Sequence, residues 1–345
     1  MKGPIRVLIA DDSATMRTAL AELLREEKRI SVVGQARDGL EAVELARTLK
    51  PDVITMDVNM PLLDGLQATA TIMAESPARI LVVCSVAEEK QLDLSFRAIA
   101  AGALELLPKP SSARELRRWG ALIAESVLLM AEVPVVRRTR KHAALKPNGT
   151  RRTAGTAISA LGIVASTGGP PAIALVLQSL PKTLPVPILI AQHIAAGFGP
   201  GLLRWFSAVS QLPVGIAEDG QRAKEGCVYL APDGCDLELD AHGALRVPRG
   251  ASLHTPSGNR LLQSLARGLG TRAGGVVLTG MGDDGALGLL AIRKAGGATL
   301  VQDEATSVVF GMPHAAHALG AAQSLVPLEW IALSIVELCR ETGTP

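Results

Sequence analysis

The N-terminal part of the chain alternates short apolar runs with amphipathic stretches. The runs have the length of buried strands, and the stretches between them repeat apolar residues every three or four positions, as in residues 16–24, which is typical of helices. Repeated strand–helix units predict an α/β domain with a doubly wound, five-stranded parallel sheet. The predicted strands are Ile5–Ala10, Ile30–Gly34, Asp52–Asp57, Arg79–Cys84 and Leu104–Leu107.

The same alternation resumes near residue 158 and predicts a second doubly wound parallel α/β domain. Two short runs on either side of Gly243, between Asp233 and Pro248, predict a β-hairpin inserted into it. Trp330–Leu338 has the pattern of a closing helix. The predicted strands are Ile158–Ala165, Val186–Gln192, Val214–Ala217, Val228–Ala231, Gly275–Thr279 and Ala298–Gln302.

Residues 126–157 separate the two domains and contain seven Lys or Arg residues with Pro and Gly but little periodicity. This composition indicates a solvated basic interdomain linker, and a basic arm that contacts an acidic partner is the alternative. The predicted domains are therefore residues 1–125 and 158–345.

Composition narrows the class of protein. The 345 residues are 48% hydrophobic, which supports sizeable cores, and the net charge of +2 favours neither nucleic-acid binding nor attachment to a membrane surface. No apolar stretch approaches the roughly 20 residues that span a bilayer, and Asp11 ends the N-terminal apolar run too early for a signal peptide. The four cysteines lack metal-ligand spacing. We therefore expect a cytoplasmic protein with reduced thiols and no membrane insertion.

Polar residues follow the predicted strands of the first domain. Asp11 and Asp12 follow the first strand, and Asp57 ends the third. Because parallel strands end at one edge, these carboxylates converge, and a divalent cation such as Mg²⁺ relieves their repulsion. Ser85 and Lys109 follow the fourth and fifth strands and bring a hydroxyl and an ammonium group to the same edge. Such a set can transfer a phosphoryl group to an aspartate.

A simpler interpretation is that Asp12 or Ser13 only caps the helix that begins near Thr15. Asp57, Ser85 and Lys109 at successive strand ends argue against it.

These residues, with the segment 60–65, closely resemble the receiver domain of two-component response regulators, over about residues 1–125. The resemblance implies a flavodoxin-like fold, phosphorylation of Asp57, and support of the phosphoryl group by Ser85 and Lys109. It also implies Mg²⁺ bound by Asp12, Asp57 and the backbone carbonyl of Asn59, with Asp11 acting through water. Leu106 lies where receivers usually have an aromatic switch residue.

A serine follows the first strand of the second domain. Ser166 comes after the apolar run 161–165 and before two glycines and a helical stretch, which exposes it beside unpaired N–H groups at the helix start. This position suits a nucleophile. A phosphate-cradling loop is the alternative, although the Gly-Lys-Ser/Thr of a P-loop is absent.

Two further strand ends supply partners for this serine. His193 ends the next strand, and Asp283 and Asp284 follow a later one. If these strands are neighbours, Ser166, His193 and one of the aspartates form a Ser–His–Asp arrangement. The alternatives are an ordinary histidine at a strand end, a Met281 that only packs in the core, and a tight turn at 280–285.

The segments 166–169, 192–193, 278–285 and 302–313 resemble the catalytic domain of CheB-type chemotaxis protein-glutamate methylesterases, over about residues 158–342. A receiver joined to this domain is that family's organisation. The resemblance implies that Ser166 is the nucleophile, His193 the base and Asp284 the orienting carboxylate. It implies that the backbone N–H of Met281, with Thr167, forms the oxyanion hole.

The resemblance further implies hydrolysis of γ-methyl glutamate esters on methylated chemoreceptors, with deamidation of specific glutamines as a second activity. A chemotaxis histidine kinase would be the phosphodonor, Mg²⁺ would be needed for phosphorylation, and ester hydrolysis would need no cofactor. Phosphorylation would activate the esterase during chemotactic adaptation. Residues 254–259 and Asp236 depart from the family's usual sequence, and we expect these departures to affect substrate docking and not the triad.

Two other classes remain open on the sequence. One is a phosphorylation-dependent binding module with an inactive hydrolase domain, which an intact triad argues against. The other is a DNA-binding response regulator that uses the basic linker, although the second half shows no recognisable helix-turn-helix.

Overall fold

The computed structural model describes residues 3–86, 89–110, 112–133, 157–250 and 255–340. The chain forms two compact units, Met1–Arg140 and Lys141–Pro345. Residues 134–156, which make up most of the predicted linker, lie outside the described ranges, and so does His254.

The first unit contains a five-stranded parallel sheet, which confirms the predicted fold. Its strands are β1 Ile5–Ala10, β2 Ile30–Ala36, β3 Val53–Met56, β4 Arg79–Cys84 and β5 Glu105–Pro108. Their order in the sheet is β2-β1-β3-β4-β5, and every pair is parallel. Every residue of β3 is buried, because helices cover both faces of a parallel sheet.

Among the described residues of this unit, four helices connect these strands and a fifth follows the last strand. They are α1 Ala14–Arg25, α2 Gly39–Leu49, α3 Gly65–Glu75, α4 Glu89–Ala101 and α5 Ala113–Glu132. The side chains of Ser13, Asp38 and Asp64 cap α1, α2 and α3 by accepting a backbone N–H of the first turn. The helix α5 continues past residue 126, where the linker is predicted to begin, because Val127 and Met130 still pack in the core of this unit.

The second unit contains a seven-stranded sheet and a separate hairpin. In chain order the strands are β6 Ala160–Ala165, β7 Ile188–Gln192, β8 Val214–Ile216, β9 Val228–Leu230, the hairpin strands β10 Glu238–Leu239 and β11 Leu245–Arg246, then β12 Ala273–Val277, β13 Ala298–Gln302 and β14 Ser324–Val326. The sheet order is β14-β13-β12-β6-β7-β9-β8, with all pairs parallel, whereas the hairpin is antiparallel. The predicted parallel sheet and inserted hairpin are thus confirmed.

One strand of this sheet was not predicted from the sequence. The strand β14 has three residues and lies at the edge of the sheet, where only Val326 is buried. So short a run with one buried residue carries no periodic signal.

The helices of the second unit complete the two layers around its sheet. They are α6 Gly169–Ser179, α7 Gly199–Val209, α8 Gly258–Leu269, α9 Ala286–Lys294, α10 Met312–Ala318 and α11 Leu328–Leu338. Within the described ranges, none of the helices is long and apolar enough to cross a membrane. At the centre of the sheet, β12, β6 and β7 are adjacent, so their carboxyl ends open onto one place.

Candidate catalytic and phosphoacceptor sites

Ser166 lies in a tight turn between β6 and α6. Its carbonyl accepts the N–H of Gly169 at 2.7 Å, and Gly168 between them has a φ of 74°. This left-handed conformation favours glycine, and it lets the chain pass from the strand directly into the helix. The turn therefore leaves Ser166 half-buried at the carboxyl edge of the sheet, beside the start of α6.

His193 and Asp284 form a hydrogen bond across this edge. Nε2 of His193 lies 2.8 Å from Oδ2 of Asp284, and their side chains are 14% and 4% exposed. His193 follows β7 directly, and the loop that carries Asp284 follows β12. Because both strands flank β6, the strand arrangement required by the sequence hypothesis is present.

The two adjacent aspartates have different surroundings. Asp283 is exposed and its carbonyl accepts the N–H of Ala286, whereas Asp284 is buried against His193. The sequence alone leaves the choice between them open, and the structure brings Asp284 to the histidine.

The start of α8 surrounds the Asp284 carboxylate with donors. The backbone N–H groups of Gly258 and Asn259 donate to it at 2.6 and 2.9 Å, and the hydroxyl of Ser257 lies at 3.3 Å. Burial acts to raise the pKa of Asp284, but the hydrogen bonds from His193, Asn259 and Gly258 outweigh burial, and its pKa is lowered. The carboxylate therefore stays ionised at the N-terminus of a helix, where negative charge is favoured.

This role of α8 was not predicted from the sequence. The expectation that the departures in residues 254–259 leave the triad unaffected is wrong, because the backbone N–H groups of two departing residues, Gly258 and Asn259, donate to Asp284. A Ser followed by a helical pattern is a recognisable N-cap, and Ser257 does accept the N–H of Arg260. Nothing in that pattern says which carboxylate the helix faces.

An ion pair between a buried aspartate and a partly exposed arginine contacts the start of α8. Asp236 is fully buried and accepts the N–H of Ser257 at 2.7 Å through one oxygen and Nη1 of Arg260 at 2.9 Å through the other. Asp236 is thus a supporting residue of the site, one contact removed from Asp284.

The residues predicted for an oxyanion hole lie beside Ser166. Thr167 follows it and is buried, with its carbonyl accepting the hydroxyl of Thr279 at 3.0 Å. Gly280, which precedes Met281, packs against the nucleophile so closely that an added β-carbon would lie 2.8 Å from Cβ of Ser166. Met281 is half-buried and not part of the apolar core.

The first unit brings three carboxylates together. Ligand oxygens of Asp11, Asp12 and Asp57 all lie within 4.8 Å of one another. The ammonium of Lys109 lies between Asp11 and Asp57, at 2.8 and 2.7 Å from their Oδ2 atoms. Ser85 follows β4 and is half-buried at the same edge of the sheet.

Charge at this cluster is only partly compensated. Burial raises the pKa of Asp57 to about 6, the charge and hydrogen bond of Lys109 act to lower it, and nearby Asp11 acts to raise it. Burial acts to lower the pKa of Lys109, but its two carboxylate partners outweigh burial and raise it. Three carboxylates with one ammonium fit a hard divalent cation, because oxygen ligands with excess negative charge are what Mg²⁺ prefers.

Helix capping and the acidic cluster coexist. Ser13 caps α1 by accepting the N–H of Met16, while its own N–H donates to Oδ1 of Asp11. The N–H of Asn59, which is exposed, donates to Oδ1 of Asp57 at 3.4 Å. The capping interpretation therefore holds for Ser13 without removing Asp11 or Asp12 from the cluster.

Comparisons with known proteins assign a family to each of the two units. The family model for the CheB methylesterase matches residues 161–335, and that for the response regulator receiver domain matches residues 7–119. Protein-glutamate methylesterase/protein-glutamine glutaminase 3 of Myxococcus xanthus is 56% identical over 341 residues, which cover 98% of this chain and 95% of that protein. Protein-glutamate methylesterase/protein-glutamine glutaminase 2 of Anaeromyxobacter dehalogenans is 44% identical and covers 98% of each chain.

Among solved structures, the CheB methylesterase catalytic domain of Thermotoga maritima matches with a TM-score of 0.51 and 33% identity, over 53% of this chain and all of that one. The chain therefore belongs to the CheB methylesterase family and carries a receiver domain ahead of its catalytic domain. The predicted family and the predicted class of enzyme, a hydrolase, are thus confirmed.

Proposed function

We propose that this protein is a cytoplasmic esterase that removes methyl groups from γ-methyl glutamate esters on chemoreceptors, under the control of phosphorylation at Asp57. Residues 1–125 act as the receiver and residues 158–345 as the catalytic domain. The observation that carries the proposal is the His193–Asp284 hydrogen bond of 2.8 Å beside the turn that presents Ser166. Deamidation of receptor glutamines follows from the same chemistry, with ammonia as the leaving group in place of methanol.

In the proposed reaction, Ser166 attacks the ester carbonyl while His193 removes its proton. Nε2 of His193 donates to Asp284, so the lone pair of the base is on Nδ1, which accepts the serine proton. Asp284 keeps its charge through the donors at the start of α8, and it stabilises the imidazolium that forms. His193 then protonates the methoxide leaving group, and water cleaves the acyl-enzyme by the same steps in reverse.

The developing oxyanion needs donors beside Ser166. We assign this role to the backbone N–H of Met281 together with Thr167, because Gly280 packs against Ser166 and Thr167 follows it directly. One such donor contributes roughly 3 kcal/mol to transition-state stabilisation in serine hydrolases. No cofactor takes part in these steps.

In the receiver, Asp57 accepts the phosphoryl group, and a chemotaxis histidine kinase is the proposed donor. Asp11, Asp12, Asp57 and the carbonyl of Asn59 would hold Mg²⁺, which when bound offsets the negative charge of the phosphoryl oxygens. Lys109 already contacts Asp57 at 2.7 Å and would bind a phosphoryl oxygen, with Ser85 as a second donor. Phosphorylation then shifts the population of the protein toward a more active form.

The decisive assay is methanol release from a methylated chemoreceptor fragment, with and without Mg²⁺ and acetyl phosphate. We expect release that rises with acetyl phosphate and that is lost in Ser166→Ala. Methanol release that does not change with acetyl phosphate would support the esterase activity but contradict its control by the receiver. Absence of release, with Asp57 shown by mass spectrometry to be phosphorylated, would overturn the proposed substrate.

A further inference from the structure

Gln192 is the last residue of β7 and directly precedes His193, and its side chain is turned into the protein. The residue is 5% exposed. Its amide nitrogen Nε2 donates to the backbone carbonyl of Ser166 at 3.0 Å and to that of His193 at 2.8 Å. One buried amide group therefore joins the backbone of the proposed nucleophile, Ser166, to the backbone of the proposed base, His193.

The other end of this side chain shows that its placement is constrained. Oε1 of Gln192 is buried and has no hydrogen-bond partner among the described residues. It rests against the backbone of Gly169, where an added β-carbon would collide with it. Since a buried carbonyl without a partner is unfavourable, the contacts made by Nε2 must compensate for it. Gly169 is needed here for space, as its φ is not in the left-handed region.

We propose that Gln192 is a positioning residue for catalysis, which sets the distance between the hydroxyl of Ser166 and the imidazole of His193. This inference rests on the proposed function, because it assumes that these two residues are nucleophile and base. The loop after β6 and the loop after β7 belong to different strands, and the Gln192 amide ties them together at the residues that react. Proton transfer requires a hydrogen-bond distance between donor and acceptor, and a displacement of about 1 Å can slow a reaction about 100-fold.

The chemistry of the two contacts requires a donor at this position. Both partners are carbonyl oxygens, so an amide NH₂ satisfies them and a carboxylate repels them. Gln192→Met keeps the volume of the side chain and removes both hydrogen bonds. Gln192→Glu also keeps the volume, but it introduces a carboxyl group that can donate to one carbonyl only when it is protonated.

The two variants give a pH signature that loss of packing does not produce. Burial beside two carbonyl oxygens raises the pKa of an introduced carboxyl group, so the group becomes a donor as the pH is lowered. We expect the activity of Gln192→Glu relative to Gln192→Met to rise about tenfold between about pH 9 and about pH 6. Titratable neighbours of this position include His193 and, in the same cleft, Asp233. Both variants keep these neighbours.

The experiment measures methanol release by the full chain from a methylated chemoreceptor fragment, with thermal unfolding followed in parallel. For Gln192→Met we expect kcat to fall about 100-fold with KM nearly unchanged and the protein still folded at the assay temperature. Gln323→Met is the control for loss of a glutamine hydrogen bond outside the site, because Oε1 of Gln323, which is exposed, accepts the N–H of Thr299 at 2.9 Å near the amino end of β13. This control should keep the wild-type kcat.

Three results would overturn the inference. They are a wild-type kcat in Gln192→Met, an equal loss in Gln323→Met, and a pH-independent ratio of the two Gln192 variants. Ser166→Ala in the same assay distinguishes failure of the proposed function from failure of the positioning role. If Ser166→Ala retains full activity, the proposed function itself fails, whereas an inactive Ser166→Ala beside a fully active Gln192→Met rejects only the positioning role.

Discussion

Replacement of Asp284 by asparagine would test the link between the start of α8 and catalysis. The carboxylate accepts bonds from Gly258, Asn259 and His193 at 2.6, 2.9 and 2.8 Å, and its side chain is 4% exposed. Asparagine offers one acceptor oxygen and turns an NH₂ group toward at least one of these donors. Hydrogen bonds to a charged group contribute about 1.5–3 kcal/mol each, so we expect the free energy of unfolding to fall by about 3 kcal/mol.

The loss of activity should exceed this loss of stability. Without the carboxylate, the imidazole of His193 is neither held in the required tautomer nor stabilised when it takes the proton. The corresponding substitution in a serine protease lowers kcat about 10⁴-fold, and we expect a similar factor here. The assay is methanol release at a temperature where circular dichroism shows that both proteins are folded.

A matched control separates the loss of stability from the loss of activity. Asp236 is also buried, and it also binds the start of α8, through the N–H of Ser257 and the guanidinium of Arg260. Asp236→Asn should destabilise the protein by a similar amount but lower kcat by less than about tenfold, because His193 keeps its partner. The proposed role of the Asp284 carboxylate in catalysis is contradicted if Asp284→Asn keeps kcat within tenfold of wild type. It is also contradicted if Asp236→Asn loses as much activity as Asp284→Asn.

Three further predictions concern other parts of the chain. Gly280→Ala should lower kcat about 100-fold, because the added methyl group collides with the sulfur of Met312 and with Ser166, while Gly215→Ala, where an added β-carbon meets no atom within 4 Å, should be neutral in the same assay. Asp57→Asn should abolish stimulation by acetyl phosphate without lowering the unstimulated rate, and any remaining stimulation would contradict receiver control. Burial raises the pKa of the Cys84 thiol to about 11. At pH 8 only about one in a thousand of these thiols is ionised, so mass spectrometry should find Cys84 unmodified by iodoacetamide until the protein unfolds.

Much of the phosphoacceptor site could be predicted from the sequence. Asp11 and Lys109 directly follow apolar runs that became β1 and β5, and Asp57 directly follows β3. Once a parallel sheet is predicted, the rule that its strands end at one edge brings these groups together. The structure has Lys109 within 2.8 Å of both carboxylates, as that rule requires.

The second site was predictable only in part. Strand ends indicated Ser166 and His193, but the residues alone left Asp283 and Asp284 as equal candidates. They are adjacent on the chain, and the backbone turn after β12 leaves one exposed and the other buried against His193.

Burial on both faces of a sheet requires continuous apolar runs, and polar residues mark where these runs end, so most strands of this protein and the reactive residues at their ends could be predicted from the sequence. The groups that support the reacting residues are visible only in the folded chain: the start of α8 around Asp284, and the amide of Gln192 between Ser166 and His193. The bonds from α8 to Asp284 and from Gln192 to Ser166 join residues about 25 positions apart. They depend on how helices pack over the edge of the sheet, and no local period in the sequence encodes that packing.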